Sequence, residues 1–166
     1  MGDEPGGRAR AGPVPDRLLR GFRGCDPGAV CREHTGAVRA LALVYGVYLL
    51  DVDTPSWREI GDGTYGLTVA QMQWIWDGYL EGRDADPRDP RIAPAHADLA
   101  GLPYTWVMVG DLDPLIDDSR TLAANLAAAG VPHQLKVEEG MTHAPKTIAP
   151  DALAATALAR MNAAQI

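Results

Sequence analysis

The stretch YTWVMVGDLDP (residues 104–114) decides the fold. Its first six residues are apolar, aromatic or β-branched almost without interruption, which favours a strand buried on both faces. The other five combine glycine, proline and two aspartates, which is typical of a sharp polar turn. The sequence therefore predicts a buried strand that runs into an acidic turn at its carboxyl end.

Two more segments have the character of strands in the same sheet. VRALALVY (residues 38–45) is an apolar run of strand length, and QLKV (residues 134–137) follows Pro132 as a third, shorter strand. A loop from Glu138 to Pro145 comes after the third strand and contains His143.

A helix is predicted after the first strand, because Thr68 stands three residues before Gln71 as in a capping box. Apolar residues then recur at helical spacing up to residue 80. They are Met72, Ile75, Trp76, Tyr79 and Leu80. We expect this stripe to face the core, although such a helix could also form the wall of a substrate pocket.

A second helix follows the acidic turn, with Asp117, Asp118 or Ser119 as its expected N-cap and Gly130 as the residue that ends it. An alanine-rich helix from residue 151 to about 162 completes the chain. Strands and helices thus alternate, which predicts the α/β class, with a short parallel sheet of about three strands between helical layers.

Composition limits the possible functions. The chain has 166 residues, of which 46% are hydrophobic, and a formal net charge of −7. That charge argues against binding to nucleic acid or to anionic membranes. The longest apolar run, residues 40–50, is shorter than the roughly 20 residues of a membrane-spanning helix, and the N-terminus lacks a signal pattern. A cytoplasmic protein is expected, with an irregular segment at residues 1–36 and one globular domain at residues 37–166.

No metal site is expected from the sequence. Cys25 and Cys31 are the only cysteines, and they lack the spacing of a zinc site. His34, His96 and His133 show no ligand spacing either.

Asp113 and His143 carry the predicted chemistry. Each follows a strand, and the carboxyl ends of neighbouring parallel strands meet at one edge of the sheet, so the two turns should lie side by side. A carboxylate beside an imidazole serves acyl transfer: the carboxylate fixes the tautomer, and the imidazole takes up and returns a proton. In this scheme Asp113 orients His143, and His143 is the base.

Three motifs in this region resemble a known family. GDLDPLIDD (residues 110–118), AAGVP (128–132) and GMTH (140–143) are similar to the C-terminal part of hormone-sensitive-lipase-like esterases of the α/β-hydrolase superfamily. Weaker matches precede them in the same order, at DTPS (53–56), LT (67–68), DPRIAP (89–94) and DLAGLP (98–103). The resemblance implies hydrolysis of small carboxylic esters without a cofactor, with Asp113 as the catalytic acid, His143 as the base and helix 68–80 beside the substrate pocket.

The other half of the family pattern is missing. The sequence has neither a His-Gly-Gly loop nor a Gly-x-Ser-x-Gly elbow, and its only serines, Ser56 and Ser119, both follow the first strand. GDEPGG (residues 2–7) resembles the elbow with Glu4 at the position of serine. Glu4 is therefore a candidate remnant of the nucleophile position, and it would argue against ester hydrolysis by the usual route.

Other interpretations remain open. The chain could be an inactive remnant that binds an apolar molecule or a partner, with Trp74, Trp76 and Trp106 suited to the pocket. A magnesium-binding, receiver-like signalling domain is disfavoured, because too few residues follow Asp113 to complete its sheet. Without the missing half of the fold, the short sheet has an unpaired apolar edge that should be covered, by self-association or by a partner chain; a truncated, marginally stable product is the third alternative.

Overall fold

The structure is a computed structural model that describes residues 38, 40–81, 86–144 and 159. In chain order its elements are β1 (Ala40–Val44), α1 (Pro55–Ile60), α2 (Val69–Leu80), a 3₁₀ turn (Pro94–His96), β2 (Tyr104–Leu112), α3 (Ile116–Ala128) and β3 (His133–Thr142). The predictions for residues 1–36, Glu4 included, lie outside the described residues. So does the final helix, apart from Ala159, which is helical.

The three strands form one parallel sheet in the order β1-β2-β3. Leu41 pairs with Thr105 across the first interface, and Val107 pairs with Leu135 across the second. The predicted α/β class with a three-stranded parallel sheet is therefore confirmed. Among the described residues, β1 and β3 each pair with a single neighbouring strand.

Both β2 and β3 are longer than the sequence suggested. β2 continues through Leu112 and β3 through Thr142, so most of the expected turn at 110–114 and loop at 138–145 belongs to the sheet. Pairing resumes after an irregularity between Gly110 and Leu112, where Leu112 pairs with Thr142. A Cβ atom at Gly110 would lie 1.8 Å from the carbonyl oxygen of Met141. Glycine is therefore required where the two strands approach most closely.

Helix α3 covers one face of β2 and β3 and forms the main core. Val107 and Leu126 are completely buried, and Leu122 is almost so. Complete burial of such side chains contributes about 1.5–3 kcal/mol each. Gly130, at a φ of 70°, follows the helix in the left-handed conformation, which confirms the predicted end of α3.

The predicted N-cap of α3 is wrong. The helix begins at Ile116 after Leu115, which makes no side-chain cap. Asp117 and Asp118 lie inside the helix, where their carboxylates bind a distant segment, and Ser119 is completely buried in the first turn. The two aspartates do not cap the helix because their carboxylates accept backbone N–H groups of a distant segment instead of those in the first turn of α3.

The predicted start of α2 is confirmed, whereas its apolar stripe faces the core only in part. Thr68 and Gln71 form both hydrogen bonds of the capping box. Of the stripe, however, only Met72 is buried, while Ile75 is 45% exposed and Tyr79 is 51% exposed. The helix packs through Met72 against Trp57 and Leu115, and another part of its apolar surface borders an open cleft.

Candidate active site

The acidic turn after β2 holds Asp113 by burial and by backbone hydrogen bonds. Its side chain is completely buried, and its Oδ1 accepts a hydrogen bond from the backbone N–H of Leu115 at 2.9 Å. Its own carbonyl accepts the N–H of Ile116 at 3.0 Å, at the start of α3. Local backbone bonds thus leave Oδ2 as the oxygen that faces another side chain.

That other side chain is His143, the first residue after β3. Its Nδ1 lies 3.0 Å from Oδ2 of Asp113, and its ring is three-quarters buried. An ionised carboxylate can only accept a hydrogen bond, so this contact requires the proton to be on Nδ1. The Nε2 atom is then the ring nitrogen that can exchange a proton with a reactant.

A hydrogen bond between β2 and β3 brings the two turns together. The carboxylate of Asp111 accepts the backbone N–H of Gly140 at 2.7 Å, directly before the strand end that carries His143. Together with the close contact of Gly110 and Met141, it fixes the register of the histidine turn against the acid turn. Sequence reasoning assigned no role to Asp111.

Tyr45 is a site residue that sequence reasoning missed. Its ring meets that of His143 edge-on, with the centroids 5.5 Å apart. Its backbone has a φ of 37°, a left-handed conformation that costs about 1–2 kcal/mol for a residue other than glycine. The backbone N–H of Tyr45 donates to the carbonyl of Met108. The available signal was its position immediately after β1, at the carboxyl edge of the sheet.

A second buried carboxylate, that of Asp118, lies close to the acid turn. Its Oδ2 accepts the backbone N–H groups of Tyr48 and Leu49, both at 2.9 Å. Burial raises the pKa of Asp118 to about 7, against the effect of these two hydrogen bonds. The nearby charges of Asp113 and Asp51 act in the same direction as burial. Asp118 therefore holds the loop after β1 and is partly protonated near neutral pH.

Both serines are buried. Ser56 is buried, and its hydroxyl donates to the carbonyl of Pro114 at 2.7 Å, so its proton is already engaged. The hydroxyl of Ser119 is completely buried and has no hydrogen-bond partner within the described part of the chain. Glu4, the candidate remnant of the nucleophile position, lies outside the described residues.

A cleft of about 350 Å³ opens beside His143. Its walls come from the start of α2 and the loop before it. The lining residues are Gly66, Leu67, Gln71, Trp74, Ile75 and His143. Of the three tryptophans considered for a pocket, only Trp74 lines this cleft, since Trp106 is buried in the sheet and Trp76 packs beside Met72.

The whole arrangement is a parallel sheet with a buried carboxylate and an imidazole in contact at consecutive strand ends. The sequence pattern of a family described as the alpha/beta hydrolase fold matches residues 28–146, which is more than half of the chain. The chain belongs to the α/β-hydrolase fold family. The resemblance drawn from the sequence motifs is thereby confirmed.

Individual α/β-hydrolases similar to the chain are esterases and lipases. The carboxylic ester hydrolase LipN of Mycobacterium tuberculosis is 36% identical over 91 residues, which is 54% of this chain and 24% of that protein. An acetyl-hydrolase of Streptomyces hygroscopicus is 32% identical over 129 residues, or 66% of this chain and 42% of that protein. A solved hormone-sensitive lipase from a metagenome library superimposes with a TM-score of 0.62 and 28% identity, covering 71% of this chain and 40% of the lipase.

The chain therefore spans less than half the length of these α/β-hydrolases. Within the described residues, no helix is long and apolar enough to cross a membrane. The same residues contain no group of three or more His, Cys, Asp and Glu side chains arranged to hold a metal ion.

Proposed function

We propose that this chain provides the acid and the base of a site that hydrolyses small carboxylic esters. The observation that carries the proposal is the 3.0 Å contact between Nδ1 of His143 and Oδ2 of the buried Asp113. This pairing is what a base needs if it is to be held in one tautomer and stabilised when it becomes charged.

In the proposed reaction Asp113 orients and His143 transfers the proton. Nε2 of His143 removes a proton from the attacking hydroxyl group, and the resulting imidazolium is stabilised by Asp113. The imidazolium then returns the proton to the alcohol oxygen as the ester bond breaks. Water then attacks the acyl intermediate while Nε2 of His143 takes its proton. The imidazolium returns that proton to the oxygen of the nucleophile as the carboxylic acid leaves.

The proposed reaction also needs an exposed hydroxyl group as the nucleophile. Ser56 and Ser119 are both buried, so this chain does not expose a serine. The same holds for a second, identical chain in an oligomer. We propose that the serine and the oxyanion donors come from another polypeptide segment, which pairs with the outer edge of β1. Tyr45 directly follows β1 and contacts His143. A segment paired in parallel with the free side of β1 would therefore end near His143.

The size and apolar lining of the cleft favour an ester substrate with a small, apolar acyl or alcohol group. It is bordered by Leu67, Trp74 and Ile75 and opens onto His143. An acetyl-hydrolase among the similar proteins supports a short acyl chain.

Binding without turnover is the second candidate. It is favoured by the burial of both serines and by the 76% exposure of Trp74 at the rim of the cleft. In that case His143 and Asp113 would be inherited positions, and the cleft would bind an ester or another apolar molecule without cleaving it.

The test is hydrolysis of p-nitrophenyl acetate by the purified chain, on a sample of measured oligomeric state. This ester is activated, so Nε2 of His143 can act on it as a general base toward water, without the serine that the complete site requires. His143→Ala is compared with His96→Ala, because His96 is exposed and reports the background reaction of a surface imidazole. We expect His143→Ala to lose a factor on the order of 10²–10⁴ in kcat and His96→Ala to lose nothing. Equal rates in all three proteins would contradict the proposal. Binding would then be measured by quenching of tryptophan fluorescence, with Trp74→Phe as the control.

A further inference from the structure

Ser56, at the start of α1, is attached to the acid turn by its side chain. Its hydroxyl donates to the carbonyl oxygen of Pro114 at 2.7 Å, across 58 positions of sequence. A carbonyl can only accept, so the single hydroxyl proton of Ser56 is used in this bond. The 3.1 Å contact between Thr54 and Ser56 is then donated by the Thr54 hydroxyl. A directed chain of hydrogen bonds therefore runs from Thr54 through Ser56 to the turn.

The backbone of Ser56 is attached to the other side of the same turn. Its N–H donates to Oδ2 of Asp117 at 2.9 Å, while Oδ1 of Asp117 accepts from Arg120 at 2.9 Å. Burial opposes the charge of Asp117, but the hydrogen bonds from Ser56 and Arg120 outweigh it and lower the pKa of this carboxyl. Ser56 thus binds both residue 114 and residue 117.

One peptide plane connects Ser56 to Asp113. The carbonyl that Ser56 holds and the N–H that donates to Oδ1 of Asp113 belong to the same peptide group, between Pro114 and Leu115. This group is planar, so rotation of its carbonyl rotates its N–H by the same angle. If the carbonyl is fixed, the N–H stays directed at Oδ1, and Oδ2 stays directed at His143.

We infer that Ser56 is a positioning residue, which acts through the 114–115 peptide to hold the Asp113 carboxylate against Nδ1 of His143. The inference rests on the proposed function for its catalytic consequence, whereas its structural consequence is independent of turnover. Ser56 itself touches neither His143 nor the cleft, since its hydroxyl is engaged within the turn.

The test uses the tautomer of His143, read from the ¹⁵N and ¹H chemical shifts of its ring in the intact, ¹⁵N-labelled chain of 166 residues. In the wild type we expect the Nδ1–H form. In Ser56→Ala we expect the ratio of the Nε2–H form to the Nδ1–H form to rise roughly fivefold, which equals about 1 kcal/mol. An unchanged ratio in a folded Ser56→Ala protein would overturn the inference.

The matched control is Ser119→Ala. Ser119 is also buried, and its hydroxyl has no partner among the described residues, so its removal tests whether loss of any buried serine disturbs the site. We expect the wild-type tautomer ratio in this variant; a rise equal to that of Ser56→Ala would contradict a specific role of Ser56. If Ser56→Ala does not fold, Ser56→Cys keeps the shape with a weaker donor and should change the ratio in the same direction. Ser56→Thr, which restores the hydroxyl, should return the ratio toward the wild-type value.

Turnover is measured on the same samples, so that two failures can be told apart. Absence of any His143-dependent hydrolysis contradicts the proposed function and leaves the tautomer result as the test of the inference. Where hydrolysis is observed, Ser56→Ala should lower kcat roughly fivefold with KM unchanged, because the change acts on the base and not on the cleft.

Discussion

The carboxylate of Asp118 accepts the backbone N–H of Tyr48, 70 residues earlier in the chain. It accepts the N–H of Leu49 with the same oxygen. The loop after β1 is therefore fixed to α3 by a buried acid, within the electrostatic range of Asp113. Burial raises the pKa of this acid to about 7, which links stability to pH in the physiological range.

This link predicts that the free energy of unfolding falls as pH rises from about 4 to 7. The folded protein keeps the proton on Asp118 up to about pH 7, whereas the unfolded chain loses it near the ordinary value of 3.8. Between these values the folded state binds more protons, so raising the pH favours unfolding, and above pH 7 the effect levels off. Each pKa unit corresponds to about 1.4 kcal/mol, and the total effect is a few kcal/mol at most.

Urea unfolding between about pH 5 and pH 8 measures this effect. Asp118→Asn should remove most of the slope, because asparagine has no proton to lose. Asp117→Asn is the control: the pKa of Asp117 is lowered, so its contribution is lost only as pH falls into the acid range, below the window measured. A slope in Asp118→Asn as steep as in the wild type would contradict the raised pKa.

A second prediction concerns the closest approach of β2 and β3. Gly110→Ala would put a Cβ atom 1.8 Å from the carbonyl oxygen of Met141, so the strands must separate. We expect a loss of about 1–3 kcal/mol in unfolding free energy. Gly78→Ala, within α2 and with open space around the added methyl group, should instead gain up to about 1 kcal/mol. Equal losses at the two glycines would show that the strand contact is not the cause.

A third prediction separates two tryptophans by burial. Trp106 is 1% exposed in the sheet, and Trp106→Ala should cost about 3–5 kcal/mol. Trp74 is 76% exposed at the cleft, and Trp74→Ala should change stability by no more than about 0.5 kcal/mol. With an ester substrate, Trp74→Ala should raise KM roughly fivefold, for about 1 kcal/mol of lost apolar contact. Urea unfolding and steady-state kinetics measure the two effects, and an unchanged KM would remove Trp74 from the substrate site.

The sequence predicted those elements whose signals are local. The apolar runs of the strands, the capping box of Thr68 and Gln71, and the end of α3 at Gly130 all depend on neighbouring residues, and the structure contains each of them. The contact of Asp113 with His143 was predictable as well, because consecutive parallel strands bring their carboxyl ends together.

Contacts between distant segments were not predictable in the same way. The carboxylates of Asp117 and Asp118 looked like helix caps, yet they bind N–H groups 61 and 70 positions away. The stripe on α2 showed that one face is apolar, but periodicity does not say whether that face meets a core or a cleft. Ile75 is an example: its spacing in the sequence is that of a core residue, but in the structure it lines the cleft.

The last prediction compares two aspartates of the same strand end. Asp113→Asn should lower kcat for ester hydrolysis by a factor on the order of 10²–10⁴, because an amide that donates to Nδ1 of His143 favours the wrong tautomer. KM should not change, since Asp113 is completely buried and does not line the cleft. Asp111→Asn is the matched control, because its amide oxygen can still accept the N–H of Gly140. Similar losses of kcat in both variants, or a rise in KM alone for Asp113→Asn, would mean that Asp113 supports the strand end and does not orient the base.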